Sequence, residues 1–270
     1  MRTPKHVASD VVDPRWERVH APRELFAIWR LTLRAHSGRR RRPADPPLAE
    51  LLVTRHVPSP DVILAGLSDI ANQWRSIAVF WHAYVAVLLL WIVVRACRSV
   101  RLLGCLLVLP IASVSVAAWA SHNPFNGAMF AGLSVVLASI AYNLPEQPIQ
   151  MASRRSVLVG SIFVAFGWIY PHFVDTSHWS EYLIAAPLGL LPCPTLSAII
   201  GVTLVVSGLS VAWSRTLATA GLLYSAIGVI RLAVSIDLVL FAGAATLIAT
   251  VAHRAAKTPA SLRIMNGRRV

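Results

Sequence analysis

Long apolar segments, separated by short polar stretches, follow one another from residue 76 onward. A helix needs about 20 apolar residues to cross the hydrocarbon core of a bilayer. Seven segments meet this requirement: residues 76–94, 102–120, 125–144, 156–174, 195–213, 216–234 and 236–252. The pattern therefore predicts an all-α integral membrane bundle of seven transmembrane helices.

A shorter apolar stretch, residues 182–191, lies between the fourth and fifth segments and ends at Pro192-Cys193-Pro194. The two prolines lack a backbone N–H, so we expect a turn that is held out of helix. Irregular backbone at membrane depth persists only where protein or trapped water satisfies its polar groups. The sequence thus predicts one re-entrant half-helix that faces the interior of the bundle.

The composition agrees with a membrane protein and distinguishes the two ends of the chain from its middle. Of the 270 residues, 56% are hydrophobic and 14% are charged, which argues against a soluble protein. Residues 1–65 form a polar, Arg/Pro-rich head that we expect to be disordered. Residues 66–253 form the transmembrane domain, and residues 254–270 form a basic cytoplasmic tail.

The head bears on the topology of the protein. Its arginine run at 39–42 has no interleaved aromatic residue, so we expect a solvated tract and no contact with nucleic acid. Short basic loops stay on the cytoplasmic side of a membrane. Seven spans place these loops and the tail on one side, which predicts a cytoplasmic C-terminus in a bacterial inner membrane and an outer head. Three interpretations stay open: the head is translocated, the start of the chain is assigned too early, or, as the least favoured, residues 60–74 contain a further membrane-crossing or interfacial helix.

One strong charge, Arg231, falls within a predicted span, and Asp237 follows it across a short turn. An ionisable residue at membrane depth is a candidate for function when it cannot reach water. Because Arg231 lies about one turn from the end of its helix, we expect it to reach the surface beside Asp237. An anion-binding or gating arginine is the alternative.

Histidine and cysteine side chains are candidate ligands. His82, His122, His172 and His178 map to the same face of the predicted membrane domain, and Cys193 could join them. No pair has the i, i+4 spacing of a helical metal motif, and the three cysteines form no CxxC pair. We therefore expect neither a metal nor a cofactor. A haem- or metal-binding membrane protein is the less favoured alternative.

Glycines recur at a spacing of seven in three predicted helices. The pairs are Gly160 and Gly167, Gly201 and Gly208, and Gly221 and Gly228. Because small residues let membrane helices approach closely, these pairs predict a tight core of the fourth, fifth and sixth spans. They are also the faces on which a partner membrane protein or a second copy could pack.

Sequence motifs of common enzyme classes are absent. No GxxxxGK, GxGxxG, HExxH or nucleophile-elbow pattern occurs in the sequence. The acidic residues of the membrane domain that follow residue 76 all lie at span ends: Glu146, Asp175, Glu181 and Asp237. We therefore expect a protein without enzymatic activity.

A recognisable pattern surrounds the predicted re-entrant stretch. Tyr170-Pro171 is followed by His178 and then by Gly189-Leu190-Leu191-Pro192-Cys193-Pro194-Thr195. The pattern resembles the signature of an uncharacterised bacterial family of multi-pass membrane proteins, a domain of unknown function. In that family a Tyr-Pro helix end precedes a Gly-His loop and a Gly-x-Pro-Cys-Pro-Thr turn. Here Ser177 replaces the glycine before His178, and an extra leucine follows Gly189.

The resemblance covers about residues 66–252 and implies a small integral membrane protein. Some members of the family are labelled permeases. The candidate pocket consists of Tyr170, Pro171, His178, Gly189, Pro192, Cys193, Pro194 and Thr195. We expect a small permease or channel-like protein in which His178, Cys193 and the Pro-Cys-Pro turn line a polar pocket near the outer face. The alternative is a non-catalytic scaffold that packs through its glycine faces.

Overall fold

The computed structural model of the chain describes residues 59–94 and 99–257. Within these ranges the chain is helical and contains no strand. The α-helices are α1 (Pro60–Gln73), α2 (Arg75–Val93), α3 (Val100–Ala120), α4 (Pro124–Tyr142), α5 (Arg154–Ile169), α6 (Tyr182–Ala185), α7 (Pro192–Val205), α8 (Val211–Ala226) and α9 (Leu238–Lys257). The predicted tail beyond residue 257 and the head before residue 59 lie outside the described residues.

Four helical stretches are long and apolar enough to cross a membrane: Arg75–Val93, Val100–Ala120, Pro124–Tyr142 and Ser235–Arg254. The prediction of an all-helical chain is confirmed for the described residues, and four of its helical stretches are candidates for spanning a membrane. The other three predicted spans contain α5, α7 and α8, which have 16, 14 and 16 residues. These helices are shorter than the apolar segments in which they lie.

The predicted span 195–213 is wrong at its C-terminal end. Helix α7 ends at Val205, and both Ser207 and Gly208 have left-handed backbone, with φ of 64° and 69°. Ser210 then begins a new helix, because its hydroxyl accepts a hydrogen bond from the backbone N–H of Trp213 at 3.1 Å. Gly208 consequently lies in a loop and does not share a helix face with Gly201.

The remaining glycines divide between helix contacts and a special turn. A Cβ atom on Gly201 would lie 2.5 Å from the carbonyl oxygen of Gly160, so α5 and α7 touch backbone to backbone. Gly167 faces the carbonyl of Pro194 in the same contact. Gly221 on α8 packs against Ala244 of α9, because a Cβ atom built on Gly221 would lie 3.0 Å from the Cβ of Ala244. Gly228 belongs to a π-helical turn, Ile227–Arg231, that follows α8.

The predicted half-helix over 182–191 is wrong in extent. Only its first turn, α6, is helical, and residues 186–191 form buried irregular backbone. Hydrogen bonds within the segment and to its neighbours satisfy that backbone: the N–H of Leu191 donates to the carbonyl of Pro187 at 3.0 Å, and the N–H of Gly189 donates to the Thr195 hydroxyl at 2.9 Å. Gly189 is needed there because its φ is 72° and it lies against the ring of Trp81.

The Pro-Cys-Pro sequence is not held out of helix, contrary to the prediction. Pro192, Cys193 and Pro194 form the first turn of α7. Backbone N–H groups in the first turn of a helix have no intrahelical partner, so a proline there removes no hydrogen bond. The Thr195 hydroxyl donates back to the carbonyl of Leu191 at 2.7 Å and fixes the entry into the helix.

A proline inside α3 shows how the bundle satisfies its interior. Pro110 has no N–H, so the carbonyl of Leu106, four residues earlier, lacks its helical donor. The Tyr84 hydroxyl of α2 donates to that carbonyl at 3.0 Å. A side chain of the neighbouring helix thus replaces the missing bond, as the absence of water at membrane depth requires.

Helix α1 begins at Pro60, before the predicted domain boundary at residue 66. Its apolar face, Leu67, Ile70 and Ala71, packs against Val174, Leu190 and Leu191. Its polar side is tied to the same region, because Ser68 and Asn72 both donate to the carbonyl of Phe173, at 3.1 and 3.0 Å. Arg75 pairs with Glu181 at the junction of α1 and α2. Helix α1 therefore covers the segment that connects α5 to α7.

The bundle has two ends of different character. At the Arg101 end, where α3 begins and α4 and α7 end, Arg101 donates to the carbonyl of Leu144 at 2.8 Å and pairs with Glu146 at 2.7 Å. At the Asp237 end, α5 and α8 end while α4, α7 and α9 begin. The candidate functional residues lie at the Asp237 end.

Candidate functional site

The carboxylate of Asp237 forms the centre of the site. Asp237 is only 2% exposed and is the last residue of a short 3-10 helix, Ser235–Asp237, that leads into α9. The Tyr170 hydroxyl donates to its Oδ1 at 2.8 Å, and the Cys193 thiol donates to its Oδ2 at 3.2 Å. A buried carboxylate is costly unless it accepts hydrogen bonds, and here each oxygen accepts one.

Three helix ends bring these side chains together, and prolines position two of them. Pro171 follows Tyr170 and disfavours helical backbone there, so α5 ends at Ile169 with Tyr170 as its C-terminal cap. Pro192 begins α7 and places Cys193 in its first turn. The Tyr-Pro and Pro-Cys-Pro elements, which are distant in sequence, thus deliver their polar side chains to one carboxylate.

Gly228 makes room for that carboxylate. A Cβ atom built on Gly228 would overlap Oδ2 of Asp237. The π-helical turn carries one more residue than an α-turn, which shifts the backbone of Gly228 toward the 3-10 helix that packs against it. Sequence spacing assigned Gly228 to helix packing, whereas the structure places it against Asp237.

Aromatic and amide side chains extend the site across the bundle. The Tyr224 hydroxyl of α8 donates to Oδ1 of Asn126, near the start of α4, at 3.1 Å. The ring of Phe130 packs edge-on against Tyr224, with centroids 5.1 Å apart. The term polar network is used below for Asn126, Tyr170, Cys193, Tyr224 and Asp237. Each of its members comes from a different helix or helix end.

Two members of the polar network are absent from the sequence-based candidates. Asn126 and Tyr224 are both buried within predicted spans. The signal that could have found them is an amide and a phenol in otherwise apolar helices, since such groups need a partner at membrane depth. What the sequence lacks is any indication that these two residues face each other.

The predicted association of Arg231 and Asp237 near the surface is not the arrangement of the site. Asp237 is buried and is held by Tyr170 and Cys193, while Arg231 is exposed at the end of the π-helical turn. The exposure of Arg231 agrees with a side chain that reaches the surface. The short turn between the two residues folds Asp237 inward, because Ala233 takes left-handed backbone with a φ of 56°.

The candidate histidines do not converge. His178 is exposed and is tied to Thr176, whose hydroxyl accepts from its backbone N–H at 3.0 Å. His82 is buried with ring nitrogens 2.8 and 2.9 Å from the carbonyls of Ala78 and Trp168. His122 and His172 are exposed. Across residues 59–94 and 99–257, no group of three His, Cys, Asp or Glu side chains could hold a metal ion.

The pocket predicted at His178 and Cys193 does not coincide with the cavity found among the described residues. A cavity of about 10 Å³ lies instead among α2, α3 and α7, where Tyr84, Leu188 and Thr195 contribute to its wall. That volume is about the space of one water molecule. Cys193 is half-buried and faces Asp237, so the two residues form a packed contact and not the wall of an open pocket.

Comparisons with protein-family models, with curated proteins and with solved structures give no match for this chain. The resemblance to an uncharacterised membrane-protein family therefore stays a prediction that depends on the residues quoted for it.

Proposed function

We propose that the chain is a seven-span integral membrane protein of the bacterial inner membrane, with residues 182–191 as a re-entrant segment. Support comes from the helices that lie in all seven predicted apolar segments and from the burial of residues 185–191. The basic residues at the Arg101 end make that end cytoplasmic, since short basic loops are retained inside. The Asp237 end then faces the outer side.

Impermeant thiol labelling tests this topology. In a variant whose three cysteines are replaced by alanine, single cysteines are introduced at His178 and Gln150, two exposed positions at opposite ends of the bundle. We expect His178→Cys to be labelled in intact cells and Gln150→Cys only after lysis. The reverse pattern would invert the orientation, and labelling of both in intact cells would contradict seven spans.

We further propose that the protein is a small permease or channel-like protein that takes a cation at Asp237. The observation that carries this proposal is a carboxylate 2% exposed whose two hydrogen-bond donors, a phenol and a thiol, are neutral groups. Ionisable residues held inside a membrane protein often mark substrate or ion pathways. A buried negative charge attracts a positive ion and repels anions.

The backbone around Asp237 supports the same proposal. A π-helical turn, a 3-10 helix and the irregular segment 186–191 all meet near the polar network. Interrupted helices with substrate or ion sites between them are a recurring arrangement in membrane transporters. π-Helical turns are likewise frequent at functional sites.

Electrical recording from proteoliposomes tests the proposal. Purified full-length protein in vesicles on a solid-supported membrane is exposed to steps in H⁺, Na⁺, K⁺ or methylammonium concentration. We expect charge movement with at least one of these cations, its loss in Asp237→Asn and its retention in Asp175→Asn. Asp175 is the matched control because it is exposed in the loop after α5. Equal signals in the two variants would contradict a cation site at Asp237.

The scaffold alternative receives less support. Gly160 and Gly167, through which a partner would pack, are buried in the contact between α5 and α7. We propose a non-enzymatic role, because the sequence contains no motif of the common enzyme classes named above.

A further inference from the structure

The packing around Asp237 limits which cation can bind there. Tyr170, which contacts Oδ1, is fully buried, and Gly228 lies so close to Oδ2 that even a methyl group would overlap it. An alkali ion or an amine needs a coordination or contact shell of several atoms around it. Such an ion would have to displace Tyr170, Cys193 or the π-helical turn, whereas a proton adds almost no volume.

The hydrogen bonds of Asp237 would also respond to a proton. An ionised carboxylate accepts at both oxygens, which suits the two donors that face it. A protonated carboxyl carries a hydrogen on one oxygen, and that oxygen becomes a weaker acceptor for the donor that faces it. Proton binding would therefore loosen the link of Asp237 either to Tyr170 at the end of α5 or to Cys193 at the start of α7.

Other titratable and charged groups near Asp237 come from each element packed against it. Tyr170 caps α5, and the exposed His172 that follows lies within electrostatic range of Asp237. Cys193 belongs to α7, Tyr224 to α8 and the exposed Arg231 to the π-helical turn. Of these groups, His172 and Arg231 are exposed to water.

We propose that the cation taken at Asp237 is a proton, an inference that rests on the function proposed above. A hydronium ion gives up the proton, an O–H bond forms on the Asp237 carboxyl, and water remains. No electrons are transferred. The Asp237 carboxyl is thus the group that loads and releases the transported or coupling ion at the outer end of the bundle.

Proton flux into vesicles tests this inference. Proteoliposomes with full-length protein, a luminal pH-sensitive dye and valinomycin for charge compensation are subjected to an external acid step. We expect luminal acidification with the wild type and with Asp175→Asn, and the rate of protein-free vesicles with Asp237→Asn. Steps in Na⁺ or methylammonium at constant pH are expected to give no charge movement in the electrical recording.

A second variant separates titration of the carboxyl from a purely structural role. Tyr170→Phe keeps the carboxyl and removes the donor to Oδ1, which stabilises the ionised form. The external pH at half-maximal flux should therefore move upward in Tyr170→Phe, whereas a structural defect would lower the rate without moving that pH. An unchanged pH of half-maximal flux would contradict proton binding at Asp237.

The outcomes distinguish the two proposals. Movement of Na⁺, K⁺ or methylammonium that depends on Asp237 without luminal acidification would overturn the proton inference and leave the cation site standing. Absence of any Asp237-dependent movement would overturn both. If Asp237→Asn does not fold, the wild type still distinguishes a proton from the other cations, and Tyr170→Phe still tests whether the proton binds at Asp237.

Discussion

The two ends of the bundle each hold a carboxylate that bridges helices, but in opposite surroundings. At the Arg101 end the side chain of Glu146 is 71% exposed and is paired with an arginine. At the Asp237 end the carboxylate is buried and is held by a tyrosine and a cysteine. The exposed ion pair is screened by water and contributes little to stability. At the buried site, each hydrogen-bond donor compensates for the hydration that the Asp237 carboxylate loses on burial. A carboxylate therefore forms an exposed ion pair at one end of the bundle and a buried, hydrogen-bonded contact at the other.

The largest loss of stability is expected when the space beside Asp237 is filled. Gly228→Ala is expected to lower the free energy of unfolding by about 3 kcal/mol, because the added methyl group must displace the carboxylate. The measurement is denaturant unfolding in detergent micelles. Gly132→Ala is the matched control, since a built Cβ at Gly132 has no atom within 4 Å. Equal effects of the two substitutions would show that Gly228 does not limit the space at Asp237.

Removal of one donor from Asp237 should have the next largest effect. Tyr170→Phe is expected to cost about 2 kcal/mol, the range for a hydrogen bond to a charged group. Tyr142→Phe serves as control, because Tyr142 is 74% exposed at the Arg101 end and should change stability by less than about 0.5 kcal/mol. The same unfolding assay applies to both. A Tyr170→Phe variant as stable as the control would remove Tyr170 from the polar network.

The smallest effect is expected at the exposed carboxylate. Glu146→Gln should lower stability by at most about 0.5 kcal/mol, since exposed ion pairs gain little and are screened by salt. Unfolding of wild type and variant at low and high ionic strength measures this term, and the difference should vanish at high salt. A loss as large as that of Tyr170→Phe would erase the distinction between the two ends.

Much of the helical layout could be predicted from the length and spacing of the apolar segments, and the errors have local causes. The segment 195–213 looked like one span because Ser207 and Gly208 interrupt it without any charge, although their left-handed backbone ends the helix. The Pro-Cys-Pro sequence suggested a break, but prolines in a first helical turn displace no hydrogen bond. Hydropathy reports where a chain is apolar and not where its backbone changes direction.

The site could be predicted only in part. Tyr170, Cys193 and Asp237 are each candidates on sequence grounds. The sequence, however, places Tyr170 and Cys193 in a pocket with His178, and it pairs Asp237 with Arg231 at the surface. Their meeting depends on the turn at Ala233, which has no sequence signal, and on the space left by Gly228, whose spacing of seven from Gly221 indicated helix packing. The pairing of Tyr224 with Asn126 could not be predicted either, because the two residues are distant in sequence and no pattern indicates that they face each other.

A double-mutant cycle on Tyr170 and Asp237 tests the central claim most directly. The free energies of unfolding are measured in detergent for the wild type, Tyr170→Phe, Asp237→Asn and the double variant. If the hydroxyl and the carboxylate form one buried contact, the effects should be non-additive by about 1–2 kcal/mol. Additivity within about 0.3 kcal/mol would mean that the two groups do not interact and would contradict the polar network.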